Sequence, residues 1–276
     1  MKPIFRWTIG CNSLIRGFDV LDMSIKKAIG IYGDSFEWIV CHNGEDPEKT
    51  EMALSISRKY GIKTMKQKWD DSPVNDTLPE TAYNFDNPQD STGSTWKLCP
   101  PRIDIRRHEI IMDNDIVLEK RLHEIDEFLA SEKTMITQGA GRFYGRYDSM
   151  IEKGGCYNSG LIGLPPGFDF KKKLHDAWSI DKNKRMTYAD EQGLVSYVLT
   201  GVDHILVETS SIVTLHAHGF FWCNLSEGNK RIEKYNSRIW KTIGRCKGFH
   251  FVGANRRCDH PGWDIFKEFK TVHMPI

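Results

Sequence analysis

"EIIMDNDIVL", residues 109–118, runs through apolar residues into Asp113-Asn114-Asp115 and back into Ile116-Val117-Leu118. Two carboxylates around a single residue, inside what otherwise reads as a buried strand, call for a cationic partner, because an unpaired buried charge is costly. If the strand ends at Met112, a turn aims carboxylates 113 and 115 at one point beyond the C-terminal edge of a sheet. That edge is where open α/β sheets bind ligands. A hard divalent ion that keeps oxygen ligands and bridges phosphate oxygens suits such a pair. D-x-D alone is a common tripeptide, and the apolar flanks are what give it weight.

Outward from this stretch the chain alternates short apolar strands with amphipathic helices. Residues 4–10 and 37–41 read as strands, and between them Phe18, Val20, Leu21, Met23, Ile25, Ala28 and Ile29 recur at helical spacing. That is a βαβ unit, so parallel pairing is expected. Residues 51–60 read as a helix and 62–65 as a third strand. After the strand at 108–112, "LEKRLHEIDEFLA" (118–130) reads as a helix with acid and base at helical spacing. Further strands are expected at 133–138, 160–164, 203–207, 212–216 and 250–252, and a helix at 188–199. The expectation is one α/β domain spanning 1–276, without internal repeat or linker. Between these elements, residues 70–94 carry six acidic residues, three prolines and no basic residue. A run of this length without structure is either a loop beside the site or disordered.

At 276 residues, 39% hydrophobic and 11% aromatic, the chain fills a sizeable core. Lys+Arg 38 against Asp+Glu 37 leaves a charge of +1, which argues against a protein that chiefly coats nucleic acid or membrane. The seven cysteines include no C-x-x-C pair, which fits reduced thiols and a cytoplasmic location. No leader-like apolar stretch and no run of 18 apolar residues is present, so neither secretion nor a spanning helix is expected.

Three further stretches carry chemistry. "GFHFVGANRRCDHPGW" (248–263) places His250, Gly253, Arg256 and Arg257 together. Glycine permits close backbone approach to a diphosphate, and guanidinium groups neutralise phosphate in fork geometry; a histidine satisfied within the core is the plainer alternative for His250. "GGCYNSGLIGLPPG" (154–167) supplies Asn158 and Ser159 before an apolar strand, and "YADEQGL" (188–194) supplies Asp190, Glu191 and Gln192 near a helix start. The acids there also complement the helix dipole. Finally, residues 226–257 hold nine basic side chains against Glu227 and Glu233. The segment is a solvated helix face, or it meets an acidic acceptor or surface through about 230–247, including a membrane periphery or modified nucleic acid.

The order DND, NSG, DEQGL and HFVG followed by basic residues resembles the GT-A fold nucleotide-sugar glycosyltransferases. Within them it is most similar to the glycogenin and bacterial galactosyltransferase family, glycosyltransferase family 8, over about residues 5–263. The resemblance implies a Rossmann-like, mostly parallel sheet flanked by helices. It implies a nucleotide-binding part at about 1–118 and an acceptor-side part at about 119–276. It implies Mn²⁺ or Mg²⁺ on Asp113, Asp115 and His250. Thr8 and Asn12 would hold the uracil and ribose, with Asn114 in the donor site. Lys97 would reach the diphosphate or sugar, Asn158 would touch the donor sugar, and Gly253, Arg256 and Arg257 would take the place of the family's phosphate-binding G-x-x-K. Glu191-Gln192 matches the family's Asp-Gln, with Asp190 an extra neighbour.

The implied activity is metal-dependent hexosyl transfer from a UDP-sugar to an acceptor hydroxyl, with retention. An inverting enzyme using Asp190 or Glu191 as base, a nucleotidyltransferase and a non-catalytic sugar-nucleotide-binding protein are the alternatives. Residues 8–18, "TIGCNSLIRGF", lack the basic, Gly-rich phosphate loop that a nucleotidyltransferase would use. The acceptor, whether glycan, lipid-linked, protein or modified nucleic acid, is not legible.

Overall fold

The computed structural model describes residues 1–9, 17–42, 47–67, 97–139, 141–181, 188–216, 220–225, 228–233 and 246–252. In chain order these form β1 (Ile4–Ile9), α1 (Gly17–Tyr32), β2 (Glu37–His42), α2 (Pro47–Tyr60), β3 (Lys63–Lys66), β4 (Glu109–Met112) and β5 (Ile116–Leu118). There follow α3 (His123–Leu129), β6 (Thr134–Gln138), β7 (Tyr157–Leu164), α4 (Phe170–Trp178), α5 (Tyr188–Thr200), β8 (His204–Val207) and β9 (Ile212–His216). The last described strands are β10 (Phe220–Leu225), β11 (Gly228–Glu233) and β12 (Gly248–Val252).

Seven strands build the main sheet in the order β3-β2-β1-β4-β7-β6-β8. All neighbours are parallel except β7, which runs antiparallel to β4 and β6. β1 is buried along its whole length because both faces are covered. Phe5, Trp7 and Ile9 pack with Trp38, Val40 and the α1 residues Leu21, Ile25 and Ala28. Ile4 packs with Ile39 and Cys41 in a separate cluster. A third cluster joins Ile111 and Ile162 to α4 and α5 through Phe170, Leu174, Trp178, Leu194 and Leu199.

The second sheet has the order β11-β10-β9-β12-β5. β5 therefore leaves the main sheet directly after β4, and Asp113-Asn114-Asp115 is the corner where the chain changes sheets.

The opening βαβ unit and its parallel pairing follow the sequence expectation. Three features differ. The helix expected at 118–130 is confined to α3, because the backbone N–H groups of Glu119 and Lys120 both bond to the Lys247 carbonyl, at 2.7 and 3.0 Å, and hold the chain beside β12. Residues 228–233, read as part of a solvated helical face, are instead β11, paired to β10 with Phe220 opposite Glu233. α4 was not anticipated, although Asp169 caps it by accepting from the backbone N–H of Lys172 and its apolar residues fall at helical spacing. Residues 70–94 and 234–245 lie outside the described residues. Among the described residues, no helix is long and apolar enough to cross a membrane.

Candidate active site

The corner between the sheets is pinned from several sides. Asp113 donates its backbone N–H to the Gly160 carbonyl at 2.6 Å, and Ile116 donates back to the Asp113 carbonyl at 3.3 Å. Phe251 donates to the Asp115 carbonyl at 2.9 Å. β12 lies antiparallel to β5 with His250 opposite Ile116, so the pairing that fixes β5 also delivers the imidazole. Gly160 leaves the room it needs: a Cβ there would stand 2.7 Å from the His250 ring and 2.7 Å from Asn158 Oδ1. Asn114 binds the corner to the end of β1, donating from Nδ2 to the Thr8 carbonyl at 2.8 Å.

Asp113, Asp115 and His250 each offer a ligand atom, and these atoms lie within 4.8 Å of one another. His250 Nε2 stands 3.3 Å from Asp115 Oδ1, and that buried oxygen accepts no hydrogen bond. A ring nitrogen and a carboxylate oxygen facing each other in this way suit a shared cation. Two carboxylates and an imidazole are a donor set for a divalent ion of the Mn²⁺ type, with Mg²⁺ less at ease with the nitrogen.

Lys97 enters from the other side. Its ammonium lies 3.2 Å from Asp113 Oδ1 and 3.2 Å from Glu191 Oε1, and donates to Ser159 Oγ at 2.9 Å. Burial works against this ammonium, but Asp113 and Glu191 outweigh it and hold its pKa above the ordinary lysine value. Burial likewise pushes the carboxyl groups of Asp113 and Glu191 upward, opposed chiefly by Lys97. Three carboxyl groups, of Asp113, Asp115 and Glu191, share one ammonium around the corner, an excess of acid that a divalent cation would balance.

α5 presents its DEQ run in two directions. Glu191 turns to Lys97, and Gln192 accepts at Oε1 from Asn158 Nδ2 at 2.8 Å while its Nε2 donates to the Phe143 carbonyl at 3.2 Å. Asn158 Oδ1 accepts from the Gly160 N–H at 2.7 Å, which links the amide to the Asp113 corner. Asp190 is not brought to this cluster. Its Oδ1 accepts the Arg146 backbone N–H at 2.8 Å, and the Arg146 guanidinium, stacked over Trp178, stands 3.4 Å away.

Of the sequence-predicted site residues, the structure thus gathers Thr8, Lys97, Asp113, Asn114, Asp115, Asn158, Glu191, Gln192 and His250 around one sheet edge. Asn12, Gly253, Arg256 and Arg257 lie outside the described residues. Sequence reasoning missed Arg6 and Glu109, a fully buried ion pair beneath the site. A lone Arg in an apolar strand was their only signal.

A mostly parallel sheet with Asp113, Asp115, His250, Glu191 and Gln192 gathered at one edge matches the GT-A fold that the sequence resemblance implies. Comparison with solved structures agrees. The galactosyltransferase LgtC, solved in complex with donor and acceptor sugar analogs, superposes with a TM-score of 0.56 at 12% identity, covering 98% of this chain and 97% of that one. The bifunctional glycosyltransferase WbbM in its apo form gives 0.59 at 11% identity over 92% of this chain and 46% of that one. Mouse xyloside xylosyltransferase 1, apo form, gives 0.50 at 12% identity over 95% and 99%. No family model matches the sequence, and no curated protein matches it.

Proposed function

We propose that this chain is a metal-dependent glycosyltransferase that moves a sugar from a nucleoside diphosphate, a UDP-sugar, to an acceptor hydroxyl with retention of configuration. The observation that carries the reading is the convergence of Asp113, Asp115 and His250 at the sheet edge, with Lys97 and Glu191 directly behind them. Solved glycosyltransferases of the same fold support it.

Asp113, Asp115 and His250 would hold Mn²⁺ or Mg²⁺. When bound, the ion supplies Lewis-acid stabilisation of the diphosphate oxygens. The remaining work belongs to the chain. Lys97 contributes a fixed positive charge close to where the leaving phosphate gathers negative charge, and preorganised charge of this kind is usually the largest catalytic contribution. Thr8, Asn12 and Asn114 would hold the nucleoside, and Gly253, Arg256 and Arg257 the diphosphate. Asn158 and Gln192 would position the donor sugar, and Glu191 would stabilise the cationic character of its anomeric carbon. The bond from that carbon to the phosphate oxygen breaks, the bond to the acceptor oxygen forms on the same face, and the acceptor proton departs with the diphosphate.

A panel of nucleotide sugars incubated with Mn²⁺ tests this reading. UDP should be released from at least one UDP-sugar, and excess chelator should stop its release. Full activity in chelator, or equal affinity for all four nucleoside diphosphates, overturns it.

A further inference from the structure

The Arg6–Glu109 pair lies wholly inside the protein, with Nε donating to Oε1 at 2.7 Å. Its partners are unusual for a pair that only stabilises a sheet. All five N–H donors of the guanidinium meet an acceptor. Besides Glu109 these are Thr8 Oγ1 at 3.2 Å, the Lys97 carbonyl at 3.1 Å, and the carbonyls of Pro100 and Pro101 at 2.8 and 3.4 Å. Glu109 spends its other oxygen on the Ile103 backbone N–H at 2.9 Å. The pair therefore grips residues 97–103, a stretch outside every strand and helix of regular length, and holds it against β1 and β4.

Two of the gripped groups belong to the site. Lys97 is held by its carbonyl from Arg6, while its ammonium reaches Asp113, Ser159 and Glu191. Thr8 is held by its hydroxyl from Arg6, while its carbonyl receives Asn114 from the D-x-D corner. One guanidinium thus fixes both the cation behind the metal ligands and the strand end on the nucleotide side. Stability alone does not explain the choice. A buried ion pair replaced by apolar residues of similar volume is often no less stable, but no apolar side chain can bind three carbonyls along a loop together with the Thr8 hydroxyl of β1.

We propose that Arg6, oriented by Glu109, is a positioning residue for sugar transfer: it sets the Lys97 ammonium and the Thr8 end of β1 in register with the Asp113–Asp115–His250 corner. The inference rests on the reading of that corner as a metal and sugar-nucleotide site.

The test is a double-mutant cycle. Arg6→Met with Glu109→Leu removes the pair without leaving a buried charge, and Lys97→Met removes the group through which Arg6 acts. With UDP-sugar and Mn²⁺ as the probe, the paired replacement should lower kcat about 10²-fold, the cost of misplacing a group by about an ångström. Its melting temperature should fall, because the carbonyls of Lys97, Pro100 and Pro101 and the Ile103 N–H lose their partners, so turnover is counted per folded molecule well below the melt. In the Lys97→Met background the same replacement should lower kcat clearly less, because the Lys97 route is already gone and only the Thr8 route remains to be lost. Full turnover in the paired variant, or a loss of equal size in both backgrounds, overturns the proposal and leaves a structural pair only.

If the paired variant fails to fold, Arg6→Lys decides. It keeps the charge beside Glu109 but cannot span the carbonyls of Lys97 and Pro100, so a folded protein with turnover lowered at least tenfold is expected, and unaltered turnover refutes the idea. Failure of the underlying reading shows differently, as unaltered protein that binds no UDP with Mn²⁺ and turns over no UDP-sugar.

Discussion

Asn158 donates from Nδ2 to Oε1 of Gln192 across 2.8 Å, and the far end of the same amide donates to the Phe143 carbonyl. The orientation of Gln192 is thereby set from both ends. Asn158 itself is set by the Gly160 N–H, one residue of the strand whose carbonyl holds Asp113.

Asn158→Asp should separate positioning from folding. The aspartate can still accept from Gly160 but can no longer donate to Gln192. If the Gln192 amide turns over to compensate, its oxygen meets the Phe143 carbonyl instead of its N–H doing so. Losing the bond and setting a carboxylate against the Gln192 oxygen costs about 1–3 kcal/mol of stability, less than a typical domain has in reserve, so the variant should fold. Donor turnover should nonetheless fall about tenfold or more, measured as UDP release beside a thermal melt. An unchanged rate would mean that the Gln192 orientation does not matter to the chemistry.

Lys97→Met should make stability depend on pH in a defined direction. Burial raises the carboxyl groups of Asp113 and Glu191, and Lys97 opposes that rise. A group whose folded pKa is raised contributes stability below its unfolded value, about 4 for a carboxyl, and loses it as pH climbs through the folded value. Without the ammonium both values rise further, so the penalty grows from acid toward neutral pH. The raised pKa of Lys97 itself acts only above its own unfolded value of about 10. In metal-free buffer the variant should lose about 3 kcal/mol near pH 8, the scale of breaking a buried pair, and clearly less at pH 4. Equal losses at both pH values in thermal melts would refute this account.

Much of this arrangement is legible in the amino-acid sequence, and the reason differs residue by residue. Asp113 and Asp115 stood out because charge interrupts an apolar run, which local pattern alone reveals. The parallel β1–β2 pairing was legible because the intervening helix has a clear period. The Arg6–Glu109 contact was not, since its partners lie 103 residues apart and only the β1–β4 register brings them together. The DEQ run could not be resolved either. Neighbours on a helix point about 100° apart, so which acid faces the site depends on how α5 rests against the Gly145–Met150 turn and β7. Gly193 decides that rest, because a Cβ there would stand 2.1 Å from the Tyr144 carbonyl.

The cysteines give an independent check on packing. Cys41, Cys99 and Cys246 are buried, and burial pushes the Cys41 thiol up to about 11. Cys156 is partly exposed. Thiolate is the reactive form, so iodoacetamide at pH 8 should label Cys156 well ahead of Cys41, Cys99 and Cys246 in the folded protein, and all seven cysteines after denaturation, as read by peptide mass spectrometry. Rapid labelling of Cys41 in folded protein would contradict the packing of β2 against β1.

The last prediction separates the two acids that sequence alone left equivalent. Glu191 stands 3.2 Å from the Lys97 ammonium, behind the D-x-D corner, whereas Asp190 is occupied by Arg146 beneath Trp178. Asp190→Asn should therefore act on stability. Its carboxylate accepts a backbone N–H and neighbours a largely buried guanidinium, and weakening such a pair lowers the melting temperature while leaving turnover per folded molecule nearly intact. Glu191→Gln acts on the site. A general base replaced by its amide costs about 10²–10⁴-fold in rate, but a carboxylate that only balances charge need not titrate, and its amide keeps part of the function. Measurable transfer in Glu191→Gln is expected, with the anomeric configuration of the donor preserved in the first-formed product. Proton NMR of that product distinguishes the cases. An inverted anomeric centre with a dead Glu191→Gln variant would make Glu191 the base of an inverting enzyme, with Lys97 then serving to tune its proton affinity.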